Sequence, residues 1–325
     1  MALLSIEDFI ELYIKIHQRG LGYILSKFNF SSRKRTKTTF DDLKFETAHC
    51  WIIPAVQGRW NELITGSRDI SYEEYLLEKY LNQQSGQYSM LSIGCGTGSH
   101  ELIFAQHPGI KEIQAFDIAP KLIEEAMQIV YKRKLQDKMR FFVADYTKTE
   151  FPSESFDIIL FHSSLHHFSN IEKTTSLTKN ILKPNGFLII NEYVGSNRFQ
   201  WEKYQLKVIN DALKLVIPKE YRKIFKTNLY KYKVRKPGLL RMILNDPSEA
   251  PASKKIIPTV EKHFKLIEKK EYGGNILMPL LKDISHHFIE QNNKTKEILQ
   301  TLFDIEDAFI KENRSDYVFG VYKKL

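Results

Sequence analysis

The chain has 325 residues, 42% apolar and 27% charged, with a formal net charge of +9 and two cysteines, Cys50 and Cys95. That length buries a sizeable core in one large domain or two smaller ones. Two cysteines without paired spacing exclude a disulfide framework and zinc-type ligand spacing, so no metal is expected and a reducing, cytoplasmic compartment is.

The N-terminal stretch Met1–Ile16 is apolar but interrupted by Glu7, Asp8 and Glu11, which marks an amphipathic helix rather than a signal sequence. Residues 1–80 read as a helical cap, with Leu12, Ile16, Leu21 and Ile24 on apolar stripes and Ser71 to Glu74 spaced as a capping box. From Tyr88 the pattern becomes short apolar runs alternating with helical segments: Tyr88–Ile93, Glu112–Phe116, Arg140–Ala144, Phe156–Phe161 and Phe187–Asn191. Strand-helix alternation of this kind predicts an α/β core over 81–194, a mostly parallel sheet with helices on both faces and right-handed crossovers. A helical insertion follows over 195–262. Two last strands, Phe264–Tyr272 and Asp316–Tyr322, occupy 263–325 and enclose a helical insert, Leu280–Asn313.

No apolar run approaches the roughly 18 residues of a membrane-spanning helix. The basic excess sits in Lys203–Lys236, where the only acids are Asp211 and Glu220, and in a short cluster of Arg33, Lys34, Arg35 and Lys37. Such runs ordinarily form solvated helix faces, so a nucleic-acid partner is not expected.

The most informative segment is Leu91–Gly98, reading Leu-Ser-Ile-Gly-Cys-Gly-Thr-Gly at a strand-to-helix junction. Glycines there let backbone approach a ligand. The dinucleotide fingerprint requires a further glycine where this chain has Ser99, so a nicotinamide cofactor is disfavoured. The second strand ends at Asp117, where a carboxylate either accepts from both hydroxyls of a ribose or caps the next helix.

These residues, with Phe142–Tyr146 after the third strand, Phe156–Phe161 as the fourth and Leu182–Ile190 leading into the fifth, resemble the class I S-adenosylmethionine-dependent methyltransferases of small-molecule type. The resemblance implies a Rossmann-like sheet with an antiparallel last strand. It implies S-adenosyl-L-methionine as cofactor and S-adenosyl-L-homocysteine as product. It places Gly94, Cys95, Gly96, Thr97 and Gly98 against the methionine portion, Asp117 on the ribose, Asp145 on the adenine amino group, and Ile118 and Tyr146 on either side of the adenine ring.

The fourth strand runs into His162-Ser-Ser-Leu-His-His, which the family places beside the transferred methyl. His162 is assigned to the cofactor side, and Ser163 and Ser164 to either cofactor or acceptor. His166 or His167 is the candidate general base, because imidazole titrates near working pH, or else it buttresses the following helix. Glu192, at the end of the fifth strand, is expected to position the acceptor or orient a histidine. Tyr193, Arg198, Phe199 and Trp201 are candidates for the acceptor pocket, and Trp51, Arg59 and Trp60 for a lid.

An Asp/Asn-Pro-Pro-Tyr-like segment is missing after the fourth strand, and neither cysteine lies in a nucleophile motif, which weakens amino- and carbon-methylating nucleic-acid enzymes as models. The reading is transfer to oxygen or nitrogen of a metabolite, such as a natural product or sugar, by a monomer or homodimer. An RNA or protein methyltransferase and a non-catalytic cofactor-binding module are the alternatives.

Overall fold

The computed structural model describes residues 5–19, 49–81 and 87–324. Leu21, Ile24 and the cluster Arg33, Lys34, Arg35 and Lys37 lie outside them. In chain order the elements are α1 (Ile6–Arg19), α2 (Pro54–Thr65), α3 (Tyr72–Leu76), β1 (Tyr88–Ile93), α4 (Ser99–Gln106), β2 (Ile110–Asp117), α5 (Pro120–Lys132), β3 (Met139–Val143), β4 (Phe156–His162), α6 (Ile171–Ile181), β5 (Leu182–Tyr193), α7 (Lys203–Leu215), α8 (Leu239–Asn245), α9 (Ile256–His263), β6 (Phe264–Gly273), α10 (Leu277–Leu281), α11 (Asn293–Glu312) and β7 (Tyr317–Lys324). The chain divides into two compact units.

The sheet unit comprises 64–194, 250–270 and 318–325. Its seven strands take the order β3-β2-β1-β4-β5-β7-β6; β1 to β5 are parallel and the last strands antiparallel. Every residue of β1 is buried, as a central strand covered on both faces must be. The edge strand β3 instead alternates. One core joins Leu91, Ile93, Phe116, Phe161, Leu188 and Ile190 from the strands to Ile171, Ile256 and Val260 from the helices.

The expected strands fall at their predicted places, with β5 longer at its start. Phe156 pairs with Leu182 and Ile158 with Phe187, so the intervening Lys183–Gly186 stretch bulges out. A glycine is required there, since a Cβ on Gly186 would lie 2.9 Å from the Asp157 carbonyl oxygen. Before the sheet, Ser71 caps α3 by the predicted reciprocal box: its Oγ accepts from Glu74 N, and the Glu74 carboxylate accepts from Ser71 N.

The helical unit gathers 1–63, 195–249 and 271–317. Stretches that read in sequence as separate caps and inserts therefore share one core, including Ile14, Ile53, Val56, Ile209, Leu213, Leu280, Phe288, Leu299 and Leu302. Residues 64–80 and 250–262 belong to the sheet unit instead, so the structure draws boundaries that differ from those predicted. The helical insert is also broken. Asn292 opens α11 with a capping box to Thr295, and Asp283 adopts a left-handed φ of 68°, separating α11 from α10.

Buried ion pairs tie distant segments of this unit together. Asp8 of α1 accepts from Gly238 N at 2.9 Å and Arg241 Nε at 2.8 Å, while Glu11 pairs with Lys282 at 3.0 Å. Three residues of the basic stretch are engaged as well: Lys207 pairs with Asp211 at the surface, Arg222 donates to the Ile217 and Lys214 carbonyls, and Lys231 to those of Pro279 and Lys282. No described helix is long and apolar enough to cross a membrane.

Candidate active site

The glycine turn between β1 and α4 holds Gly94, Gly96 and Gly98 at φ of 73°, 56° and 77°, a region that side chains disfavour. Two of the three also lack space for a Cβ. On Gly94 it would lie 2.5 Å from Ser164 Cβ, and on Gly98 2.6 Å from the Phe141 ring. Gly96 is different: its Cβ would meet no described atom within 4 Å, so the middle of the turn faces open space. The turn is anchored from behind by Gly94 N and Cys95 N, which donate to the Phe116 carbonyl at 2.8 and 3.1 Å.

Asp117, at the end of β2, completes this cradle. Its Oδ2 accepts from Gly96 N at 3.0 Å and its Oδ1 from Ala119 N at 2.8 Å. Each carboxylate oxygen takes one N–H, leaving acceptor capacity on both oxygens, which suits a vicinal diol. Burial raises the Asp117 pKa above the ordinary aspartate value, against the opposing pull of those N–H groups and of His167. Both sequence readings of Asp117 are thus compatible, because capping uses only part of the carboxylate. Ile118 is half-buried beside it.

Asp145 caps a short 3-10 turn, its Oδ1 accepting from Thr147 N at 3.2 Å and Thr147 Oγ1 at 2.8 Å. Tyr146 departs from its expected place. It is 3% exposed, its hydroxyl is bonded to Thr178 Oγ1, and its ring packs among Phe116, Phe151, Phe161 and Phe168. It belongs to the core rather than to an adenine wall, because the turn that Asp145 caps directs its ring inward.

At the ends of β4 and β5 the polar residues converge. Glu192 is fully buried. Its Oε1 accepts from Ser164 N and Leu165 N, both at 2.6 Å, and its Oε2 from His166 Nδ1 at 2.7 Å. A carboxylate on Nδ1 sets the imidazole tautomer and leaves the lone pair on Nε2. Ser164 also donates from Oγ to the Ile93 carbonyl, locking this loop onto the glycine turn. Ser163, between them, takes a left-handed φ of 48°. Tyr193 stands edge-on to His166 at 6.2 Å, and the His167 ring lies 4.2 Å from that of His166.

His162 sits in a second polar group that the sequence did not announce. Tyr72 bonds His162 Nδ1 at 2.9 Å and stacks on its ring, and the His100 ring lies 3.6 Å from it on centroids. His100 Nδ1 is in turn bonded to the Glu73 carboxylate. Burial, then the charges of His100 and His166, push the His162 pKa well below the usual imidazole value, so it is neutral at working pH. His100 follows the glycine turn by two residues, but its partners Tyr72 and Glu73 come from α3, far upstream, so no local signal marked the group.

The remaining candidates serve the helical unit's own packing. Arg198 donates to the Asp246, Pro247 and Glu249 carbonyls, which occupies its guanidinium as a clamp rather than an acceptor ligand. Phe199 lies 5.8 Å from Trp201, itself against the helical core. Arg59 is 6% exposed and bonded to Asp307, and Trp51 and Trp60 pack with Tyr317 and Tyr272. These residues were expected in a lid; the structure places Trp51 in a 3-10 turn before α2 and Arg59 and Trp60 midway along α2, packed within the helical unit.

Comparison with known proteins agrees with this geometry. A family model described as a methyltransferase domain matches residues 91–190. The malonyl-[acyl-carrier protein] O-methyltransferase of Paenibacillus sp. is 31% identical over 158 residues, covering 45% of this chain and 56% of that protein. The 27-O-demethylrifamycin SV methyltransferase of Amycolatopsis mediterranei is 28% identical over 105 residues, 32% of this chain and 38% of that one. The chain thus spans about half the length, or less, of these curated relatives. Phosphoethanolamine N-methyltransferase 2 of Haemonchus contortus, solved with S-adenosyl-L-methionine, shares the fold at a TM-score of 0.50 and 16% identity, covering 91% of this chain and 60% of that one. Strand order and glycine cradle agree with the match of residues 91–190 to a methyltransferase domain, the kind of domain whose cofactor is S-adenosylmethionine.

Proposed function

We propose that the chain transfers a methyl group from S-adenosylmethionine to an oxygen of a small-molecule acceptor, with His166 as general base and Glu192 as the residue that orients it. The carrying observation is the Glu192–His166 pair at the carboxyl ends of β5 and β4, where ligands sit in open parallel sheets. When bound, the cofactor supplies an electrophilic methyl on a cationic sulfur.

The protein's work is then alignment and proton removal. Asp117 holds the ribose, and the open face of Gly96 lies against the methionine portion. Glu192 keeps the proton on Nδ1 of His166, so that Nε2 takes the acceptor's hydroxyl proton, and the buried carboxylate stabilises the imidazolium that forms. The two backbone N–H bonds to Glu192 keep this pair from swinging. A hydroxyl needs such a base more than a neutral amine does, which favours oxygen over nitrogen. The names of the Paenibacillus and Amycolatopsis relatives point the same way.

Arg222 and Lys231 of the Lys203–Lys236 stretch are turned onto backbone carbonyls, which weakens the nucleic-acid alternative. A binding module without chemistry would not need a carboxylate-fixed imidazole at the strand ends where the acceptor sits. The test is methyl transfer from labelled cofactor to a panel of hydroxylated metabolites by wild type and His166→Gln. Labelled product from wild type, with cofactor binding retained and product lost in the variant, is expected; equal product from both refutes His166 as the base.

A further inference from the structure

The Glu73–His100 pair is a second carboxylate–imidazole unit in the sheet unit, and methyl transfer as derived above makes no use of it. Glu73 is 2% exposed, whereas the His100 side chain keeps 34% of its surface accessible. Only Nδ1 of His100 is engaged by Glu73; its Nε2 has no hydrogen-bond partner among the described residues. The ring therefore has one end fixed inside the fold and its Nε2 at the other, two residues past the glycine turn, where it donates when the ring is protonated. The His100 ring lies 3.6 Å from that of His162, and Tyr72, which bonds His162 Nδ1, packs beside both rings.

The charges of this group are sorted. Burial opposes a charge on His100, but the hydrogen bond and charge of Glu73, with the charge of Glu101, outweigh it and raise its pKa. His162 is kept neutral. Protonation thus falls on His100 rather than on His162, and a protonated His100 presents its Nε2–H in the first turn of α4, where the helix start adds field of the same sign and no side chain caps it. Such a group recognises a small anion, and a carboxylate matches it best.

The cofactor presents one. Its nucleoside end is taken by Asp117 beside Gly96, and its other end carries an α-amino and an α-carboxylate group. We propose that His100, held by Glu73, receives the α-carboxylate of S-adenosylmethionine. This rests on the cofactor reading above and deepens it. Asp117 selects the nucleoside, the Glu192–His166 pair serves the acceptor, and the Glu73–His100 pair anchors the amino-acid tail. Anchoring both ends fixes where the sulfur lies between them, which a one-ended hold does not.

The probes are S-adenosylmethionine and its decarboxylated form, which keeps the nucleoside, the sulfonium and the amine. Each is titrated by calorimetry into the full chain, into His100→Gln and into Glu73→Gln, with thermal melts as the folding control. Wild type should prefer the carboxylated ligand by at least about tenfold, as one charge-assisted hydrogen bond provides. In His100→Gln the two affinities should converge, with decarboxylated ligand bound as in wild type. Should His100→Gln melt early, Glu73→Gln must show the same loss of discrimination. Equal binding of both ligands by wild type, or equal weakening of both in the variants, overturns the assignment. Binding of neither by wild type instead refutes the cofactor site itself.

Discussion

Replacing Glu192 by glutamine tests the catalytic reading at one atom. The carboxylate now accepts three hydrogen bonds, two from backbone N–H groups on Oε1 and one from His166 Nδ1 on Oε2. A glutamine has one acceptor oxygen. It can keep the Ser164 and Leu165 N–H groups only by turning its NH2 toward His166, and two donors cannot share that contact. The imidazole must then move its proton to Nε2, which removes the lone pair the acceptor's proton requires. Losing one hydrogen bond to a buried charge costs about 1.5–3 kcal/mol, so the variant should stay folded with a melting temperature a few degrees lower. Turnover should fall by about 10²- to 10⁴-fold, the usual contribution of a general base. Nitrogen-15 NMR of labelled histidine reads the same change without any acceptor, as a switch from the Nδ1–H to the Nε2–H tautomer at His166. A wild-type His166 already in the Nε2–H form, or a variant of unchanged turnover, would refute the reasoning.

The glycine turn separates folding from binding. Gly94→Ala forces a Cβ against Ser164 and a strained φ, and should lower stability by about 1–3 kcal/mol in a denaturant melt. Gly96→Ala meets no described atom, so it should cost about 1 kcal/mol of conformational strain yet weaken S-adenosylhomocysteine binding much more, as calorimetry would register. Asp117→Ala should lose at least tenfold in the same titration, since it removes the acceptors for a diol, at roughly 1.4 kcal/mol per tenfold. Asp8 gives a pH dependence. Burial raises its pKa, but the Ser5 and Gly238 N–H groups and Arg241 outweigh that and lower it below 3.8. Its stabilisation is therefore present above the unfolded-state pKa and is lost as pH falls through the folded one, so Asp8→Asn should flatten the acid limb of stability below about pH 4.

What was legible in the sequence follows from how local each signal is. β1, the glycine turn and Asp117 lie within one strand-helix-strand stretch, and the hydrophobic period and turn chemistry there need no tertiary context. Glu192 was singled out because it ends a strand, and of the two roles open to it the structure displays the contact of one, the 2.7 Å bond to His166 Nδ1. The lid residues misled for the complementary reason. Trp51, Arg59 and Trp60 are conspicuous types, but conspicuous types also build cores, and only the positions of Asp307 and Tyr317, more than two hundred residues on, decide between the uses. Tyr146 shows the same limit at short range, since the turn after Asp145 sends its ring inward to Thr178. The Glu73–His100 pair is the opposite case. Neither residue stands out where it sits, because Glu73 reads as part of a capping turn and His100 as an ordinary helix residue. Packing of α3 over the start of α4 turns the two into a fixed imidazole whose protonation the buried carboxylate favours. Chemistry that belongs to one segment is readable from that segment, whereas chemistry made by the meeting of two ordinary segments appears only when the fold brings them together.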